Sequence, residues 1–174
     1  MADIPDTIVL KRDRDLIGRG WEIWVRRGLF GLPVLVVLLA LANVFGQRPE
    51  TQVGTSAPAS LSLYAPTTVR SGLLWEARFH ITANQDLKQA ILVLAPGWLE
   101  GMQTNTIEPS PISEASDDGR PSFTLGHIEA GKSYVLYMQF QVNPTNVGHR
   151  AQTVWLYDGS RLLLTLHRAI TVFP

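Results

Sequence analysis

The chain has 174 residues, with 15 Lys and Arg against 15 Asp and Glu, and it contains no cysteine. This length allows one globular domain together with a short additional segment. The balanced charge excludes the basic field on which nucleic-acid binding depends, and the lack of cysteine excludes disulfides, a Cys-ligated metal and a thiol nucleophile. We therefore expect no nucleic-acid partner and one domain that is held together by its hydrophobic core.

An uncharged apolar run at residues 28–46 follows a basic segment at residues 1–27. The run matches the roughly 20 residues that a helix needs to cross a bilayer, and a start near residue 21 is the alternative. Basic residues cluster before it, at Lys11, Arg12, Arg14, Arg19, Arg26 and Arg27, whereas Arg48 is the first one beyond it. The positive-inside bias predicts a single-pass protein of the cell membrane, with a cytoplasmic N terminus and an extracytoplasmic C-terminal domain.

The predicted membrane-interface residues are Trp21, Trp24, Arg26 and Arg27, because indole rings and basic side chains prefer the headgroup region. A cleavable signal peptide is the competing interpretation, since Ala40-Leu41-Ala42 forms a small-x-small site near the end of the run. The long basic region and the long apolar run favour an uncleaved anchor. Its first partner is then the lipid bilayer.

Residues 47–60 are rich in Pro, Gly, Ser and Thr, and this composition predicts an extended linker. From residue 61 to residue 174 the pattern has period two, which indicates strands with one buried face. The clearest examples are residues 73–82 and 132–142, and Asp158-Gly159 predicts a hairpin within residues 150–172. Further strands are predicted at residues 61–69, 87–95 and 122–128, the first one lying at an edge or changing sheets at Pro66. Short strands with frequent turns predict a mainly β domain, an antiparallel immunoglobulin-like β-sandwich.

Two motifs connect this region with known domains. Pro96 and Gly97 end one predicted strand, and a Leu-Gly-x-x-x-x-Gly-x-Ser stretch from Leu125 to Ser133 enters a later one. With these features, residues 61–172 resemble the bacterial conserved-repeat immunoglobulin-like domains and the CARDB-like modules. The resemblance implies a sandwich fold and a surface location, and it supplies no catalytic residues.

No pattern in the chain predicts catalysis, a metal site or a cofactor. Of the four histidines, only His127 stands near an acid in a ligand-like spacing, and its position beside Glu129 indicates a solvated strand end. Asp117-Asp118-Gly119 lacks the alternating oxygen ligands of a calcium loop. No serine lies in a Gly-x-Ser-x-Gly motif. We expect no catalytic residue, no metal and no cofactor.

The most distinctive loop contains Trp98, Leu99 and Met102, with glycines at positions 97 and 101. These side chains are the candidate interaction residues, because aromatic residues and Met are enriched in the cores of protein interfaces. The alternative is that Trp98 and Leu99 close one end of the sandwich. Trp155 is predicted to lie on a sheet surface or in the core.

We therefore predict a non-enzymatic interaction protein, an accessory subunit or adaptor of a membrane complex in a bacterial cell envelope. Its expected partner is another envelope or integral membrane protein. The alternative function is a binding module for cell-wall glycan, in which Trp98 or Trp155 stacks against the sugar.

Overall fold

The computed structural model describes residues 20–44 and 46–174. The chain divides into two compact units, Met1–Val44 and Phe45–Pro174. Most of the predicted cytoplasmic segment, residues 1–19, lies outside the described residues.

The first unit contains one helix, α1 (Gly20–Leu41), among its described residues. Its 22 residues are long and apolar enough to cross a membrane, and none of them is buried. The helix begins close to the alternative start near Trp21 and ends before the predicted boundary at residue 46. A signal sequence near the N terminus can also meet these criteria of length and apolar character, so the helix is compatible with both interpretations of the apolar run.

The second unit is a β-sandwich with three sheets. Its strands are β1 (Pro49–Thr55), β2 (Ala59–Pro66), β3 (Thr68–Arg70), β4 (Leu74–Ala83), β5 (Leu87–Leu94), β6 (Met102–Glu108), β7 (Ser113–Asp117), β8 (Arg120–Ile128), β9 (Ser133–Val142), β10 (Gly148–Ala151), β11 (Val154–Asp158), β12 (Arg161–Leu166) and β13 (Ala169–Phe173). The first sheet has the order β1-β2-β4-β9-β6, and the second has the order β12-β11-β5-β8-β7. A small third sheet has the order β10-β13-β3.

The core follows from the alternation of apolar and polar residues along the central strands. On β4, every second residue from Trp75 to Ile81 is buried, and Glu76, Arg78 and His80 between them are exposed. β9 pairs with β4 and places Leu136 and Phe140 in the same interior. The predicted mainly β fold, an antiparallel immunoglobulin-like sandwich preceded by one apolar helix, is confirmed.

Two local predictions from turn chemistry are also confirmed. β11 and β12 form an antiparallel hairpin in which Asp158 pairs with Arg161, as the Asp-Gly dipeptide indicates. The chain changes sheets after Pro66, because β2 belongs to the first sheet whereas β3 pairs with β13 in the third. Proline lacks the N–H group that would continue the ladder, and this favours a break at that position.

The structure corrects the prediction of a linker at residues 47–60. Pro49–Thr55 forms β1, which pairs with β2 along its whole length. An edge strand has one neighbour and buries few side chains, so its sequence shows little alternation. Gly54 permits close packing at this edge, since a Cβ there would lie 3.3 Å from Cδ1 of Leu166. The β domain therefore begins at least ten residues earlier than residue 61.

Candidate interaction site

Trp98 lies in a short 3-10 turn, Pro96–Trp98, between β5 and β6, and its exposed fraction is 0%. Its ring centroid lies 5.4 Å from that of Phe79 and 5.5 Å from that of Phe140. These distances are typical of packed aromatic pairs in protein cores. Trp98 therefore closes one end of the sandwich, and it is not available to stack against a glycan.

Arg168 covers the other side of the Trp98 ring. Its guanidinium carbon lies 5.4 Å from the ring centroid, a cation–π arrangement. A guanidinium N–H of Arg168 also donates a hydrogen bond to the carbonyl oxygen of Pro66. Burial lowers the pKa of Arg168 to about 10, and the negative charge of Glu50 opposes this shift. Sequence reasoning missed this residue, because no local pattern distinguishes it from a solvated arginine.

The candidate patch of Trp98, Leu99 and Met102 is not an exposed surface. Met102 is buried with Trp98, with an exposed fraction of 6%, whereas Leu99 is 38% exposed. The turn is held against the domain at Gly97, where a Cβ would lie 2.1 Å from the carbonyl oxygen of Ala151. The patch prediction is wrong because this close approach turns the indole inward. Of the three residues, Leu99 alone faces a surface groove.

The groove with Leu99 at its end lies on the side of the sandwich between the edge strands β6 and β7. Its volume is about 350 Å³, and its lining residues are Leu99, Thr104, Ile107, Glu114, Ala115, Ser116, Pro121 and Phe123. A second cavity of about 350 Å³ continues it toward Ser110 and Pro111 and shares Thr104, Ile107 and Glu114. We call this surface the β6–β7 groove.

Strand register explains how side chains from both sheets reach the groove. On β6, Thr104 pairs with Phe140 and Ile107 pairs with Met138, and both partners point into the core. Asn105 is an extra residue in this ladder, which is why positions three apart can share a face. On the opposite wall, Glu114 of β7 pairs with Phe123, which is buried. Cross-strand partners project to the same face, so Glu114 is directed into the groove.

Glu114 is the one acid among the residues that line the groove, and it belongs to a segment rich in acids. Residues 99–119 contain acids at Glu100, Glu108, Glu114, Asp117 and Asp118, and they contain no Lys or Arg. Glu100 lies 3.5 Å from Nε of Arg150, and Asp118 lies 3.8 Å from Arg120. Among residues 20–44 and 46–174, Glu108 and Glu114 have no ion-pair partner. The Glu114 carboxylate is therefore free to meet a positively charged ligand in the groove, and Glu108 is a second free carboxylate at the end of β6.

Both strands beside the groove are edges of their sheets. β6 pairs with β9 on one side, and β7 pairs with β8 on one side. All five residues of β7 are exposed, and its register with β8 is regular. An edge of this kind presents backbone N–H and C=O groups that have no partner strand. The groove thus combines free backbone groups, an apolar floor and unpaired acids.

The other residues that the sequence singles out lie apart from this groove. Trp155 is half-buried on β11, packs against the core and pairs with Val93 on the face of the second sheet. His127 and Asp86 form an exposed pair with a distance of 2.7 Å between Nε2 and Oδ1. Within the described ranges, no three His, Asp or Glu residues are grouped closely enough to hold a metal ion.

The predicted membrane-interface residues occupy the first turns of α1. The rings of Trp21 and Trp24 are exposed. Arg27 places its guanidinium carbon 5.3 Å from the ring centroid of Trp24, and Arg26 lies 6.0 Å from that of Phe30. Residues three or four apart on a helix are neighbours on its surface, so these contacts follow from sequence spacing.

No protein-family profile and no curated protein sequence matches the chain. Solved structures do resemble it. A FixG-related protein from Vibrio parahaemolyticus is 13% identical, with a TM-score of 0.38, over 66% of this chain and 96% of that chain. CaCohA2 from Clostridium acetobutylicum is 14% identical, with a TM-score of 0.45, over 75% of this chain and 94% of that chain.

A CARDB domain from Pyrococcus furiosus is 13% identical to the chain, with a TM-score of 0.38. The similarity covers 74% of this chain and 96% of that domain. The CARDB-like resemblance in the sequence thus has a counterpart among solved structures. Similarities at this level concern the fold alone and carry no argument about function.

Proposed function

We propose that this chain is a single-pass, membrane-anchored and non-enzymatic interaction protein, an accessory subunit or adaptor of a cell-envelope complex. Its β-sandwich binds another envelope or integral membrane protein, and α1 holds it in the bilayer. The observation that carries the proposal is the β6–β7 groove, an apolar-floored surface between two unpaired strand edges.

The composition of the groove supports binding rather than catalysis. Ile107, Phe123 and Leu99 supply apolar contact area, and Thr104 and Ser116 supply hydroxyl groups. Glu114 is the one ionisable side chain among the residues that line it. Acid–base catalysis uses a positioned group with a partner that tunes it, whereas Glu114 has no ion-pair partner in the described part of the chain. An apolar contact surface with one free carboxylate is suited to binding a segment of another protein.

The proposed anchor has the features of a bitopic membrane helix. α1 is long and apolar enough to cross a bilayer, and Trp21 and Trp24 lie in its first turns beside Arg26 and Arg27. Basic residues on the N-terminal side favour a cytoplasmic N terminus. The β-sandwich would then face the extracytoplasmic side, where it meets other envelope proteins.

Site-specific photo-crosslinking in native membranes tests this function. The full chain carries a photoreactive amino acid at Ser116 in the groove, or at Lys88 on the exposed part of β5 as the matched control. We expect one protein to crosslink at stoichiometric yield from Ser116 and none from Lys88. A chain that crosslinks to no protein from either position, and migrates alone after gentle solubilisation, would contradict the proposal.

A further inference from the structure

We propose that the β6–β7 groove binds an extended, basic segment of the partner protein, which adds to the second sheet as a strand beside β7. This inference rests on the proposed function and specifies the partner's chemistry. Three properties of the groove carry it: the free edge of β7, the apolar floor and the unpaired acids.

The free edge of β7 provides main-chain hydrogen bonds. β7 is paired with β8 in a regular register, and its residues are exposed throughout. β6 is the less suitable edge, because the extra residue Asn105 disturbs its ladder. Strand addition requires an undisturbed row of N–H and C=O groups, which bulges interrupt. The five residues of β7 therefore accept a segment of similar length.

The floor of the groove selects the side chains of that segment. In a strand, alternate side chains point to the same face. A strand beside β7 places every second side chain over the surface that Ile107, Pro121 and Phe123 form. These positions favour aliphatic residues. The side chains between them point to the solvent-facing side of the sheet.

The acids select the charge of the segment and disfavour a second copy of this chain as the occupant. On the groove-facing side, the position beside Glu114 is the exception to the aliphatic pattern, because Glu114 shares the face of its partner Phe123 and favours a basic side chain there. Asp117 of β7 and Glu108 at the end of β6 add negative charge along the two edges. Two β7 strands from two copies would bring Glu114 and Asp117 together with their equivalents, and like charges oppose that pairing. Charged residues at an edge are a common protection against self-pairing. The same charges attract a basic partner, so they both oppose self-pairing and favour the partner.

Peptide binding to the full chain in nanodiscs of zwitterionic lipid tests the inference. The probe is a fluorescein-labelled nine-residue peptide in which every second residue is Val or Lys in turn, with Thr between them, so that Val and Lys share one face, and its matched control has Glu in place of Lys. We expect the Lys peptide to bind, and the Glu peptide to bind at least tenfold more weakly. Raising the salt to about 0.5 M should weaken binding of the Lys peptide, because exposed charges are screened. Empty nanodiscs control for binding to lipid.

Charge-matched variants locate the binding site. Glu114→Lys should weaken binding of the Lys peptide at least tenfold, whereas Glu129→Lys, the same change at an exposed turn, should alter it less than twofold. Unfolding midpoints within a few degrees of the parent protein confirm that both variants fold. Amide hydrogen exchange should slow in β7 and remain unchanged in β1, the edge strand on the other side of the first sheet.

Three results would overturn the inference: no binding at millimolar peptide, equal binding of the Glu peptide, or equal loss in Glu114→Lys and Glu129→Lys. Crosslinking from Ser116 separates such a failure from a failure of the proposed function. If a protein is captured from that position but the peptide does not bind, the proposed interaction function is retained and the proposal of a basic extended segment is rejected. Capture of a second copy of this chain from Ser116 also overturns the inference.

Discussion

Trp98 and Leu99 are neighbours in one loop, but they belong to regions of opposite character. Trp98 is completely buried at the sealed end of the sandwich, between aromatic rings and the Arg168 guanidinium. Leu99 lies at the open side, at the end of the β6–β7 groove. The sealed end encloses a charge, and the open side leaves apolar side chains beside solvent. This contrast suggests that one region maintains the fold while the other is available for binding.

The two sides of the sandwich show the same contrast. On the side of β1 and β12, Gly54 lets the sheets approach until Leu164 and Leu166 fill the space between them. On the side of β6 and β7, the space between the sheets stays open as a groove of about 350 Å³. Side chains thus fill the space between the sheets on one side of this sandwich. The open groove on the other side is a specific feature of residues 99–123.

The largest expected effect separates the two neighbours of the loop. Trp98→Ala should lower the free energy of unfolding by about 3–5 kcal/mol, because it removes a buried indole and leaves a cavity. Leu99→Ala should lower it by less than about 1 kcal/mol, since its side chain is partly exposed. Denaturant unfolding of the full chain in detergent measures both. Equal losses in the two variants would show that the groove belongs to the stabilising core.

A smaller effect is expected at Arg168 of the sealed end. Arg168→Ala should lower the free energy of unfolding by about 2–4 kcal/mol, because the buried stem leaves a cavity against Trp98. Arg168→Met keeps the volume of the apolar stem. It removes a buried charge, which is favourable, and it loses the hydrogen bond to Pro66, which is unfavourable. These changes oppose each other, so we expect the loss to stay below about 1.5 kcal/mol. An equally large loss in Arg168→Met would assign the stability to the charge and not to packing.

The smallest effect is expected at the exposed pair of His127 and Asp86, which serves as a comparison for the buried charge of Arg168. The hydrogen bond that the His127 ring donates to Asp86, together with the negative charge of Asp86, raises the pKa of His127 above 6.5. The pair therefore stabilises the fold below about pH 6.5, and this contribution disappears as the pH rises through the folded-state pKa. Asp86→Asn should return the NMR titration midpoint of His127 toward its ordinary value. An unchanged midpoint would show that the pair does not form in solution.

Sequence patterns predicted those strands whose one face is buried. The alternation around Phe79 and Phe140 identifies β4 and β9, because the core requires apolar side chains at every second position. The pattern fails for β1 and β7. All five residues of β7 are exposed, and in β1 an exposed Val53 is the one large apolar residue. An edge strand is stabilised mainly by its backbone hydrogen bonds, and these leave no pattern of apolar residues in the sequence.

The β6–β7 groove was beyond prediction for a related reason. Its walls come from strands that follow one another in the chain, yet β6 joins the first sheet and β7 joins the second. Which sheet each strand joins depends on pairing with β9 and β8, and not on local composition. Leu99 was singled out by its loop, but Glu114 and Phe123 could not be assigned to the same site. A run of acids without a basic residue from residue 99 to residue 119 was the one available signal.

The third sheet has a consequence for the order in which parts of the domain fold. β13 pairs in parallel with β3, and their partners Thr171 and Thr68 are about 100 residues apart in the sequence. The hairpin of β7 and β8, in contrast, joins near neighbours and can form within microseconds. Ile170 and Val172 of β13 are buried, so the core is incomplete until they arrive. One wall of the β6–β7 groove can thus form before the core that supports it is complete.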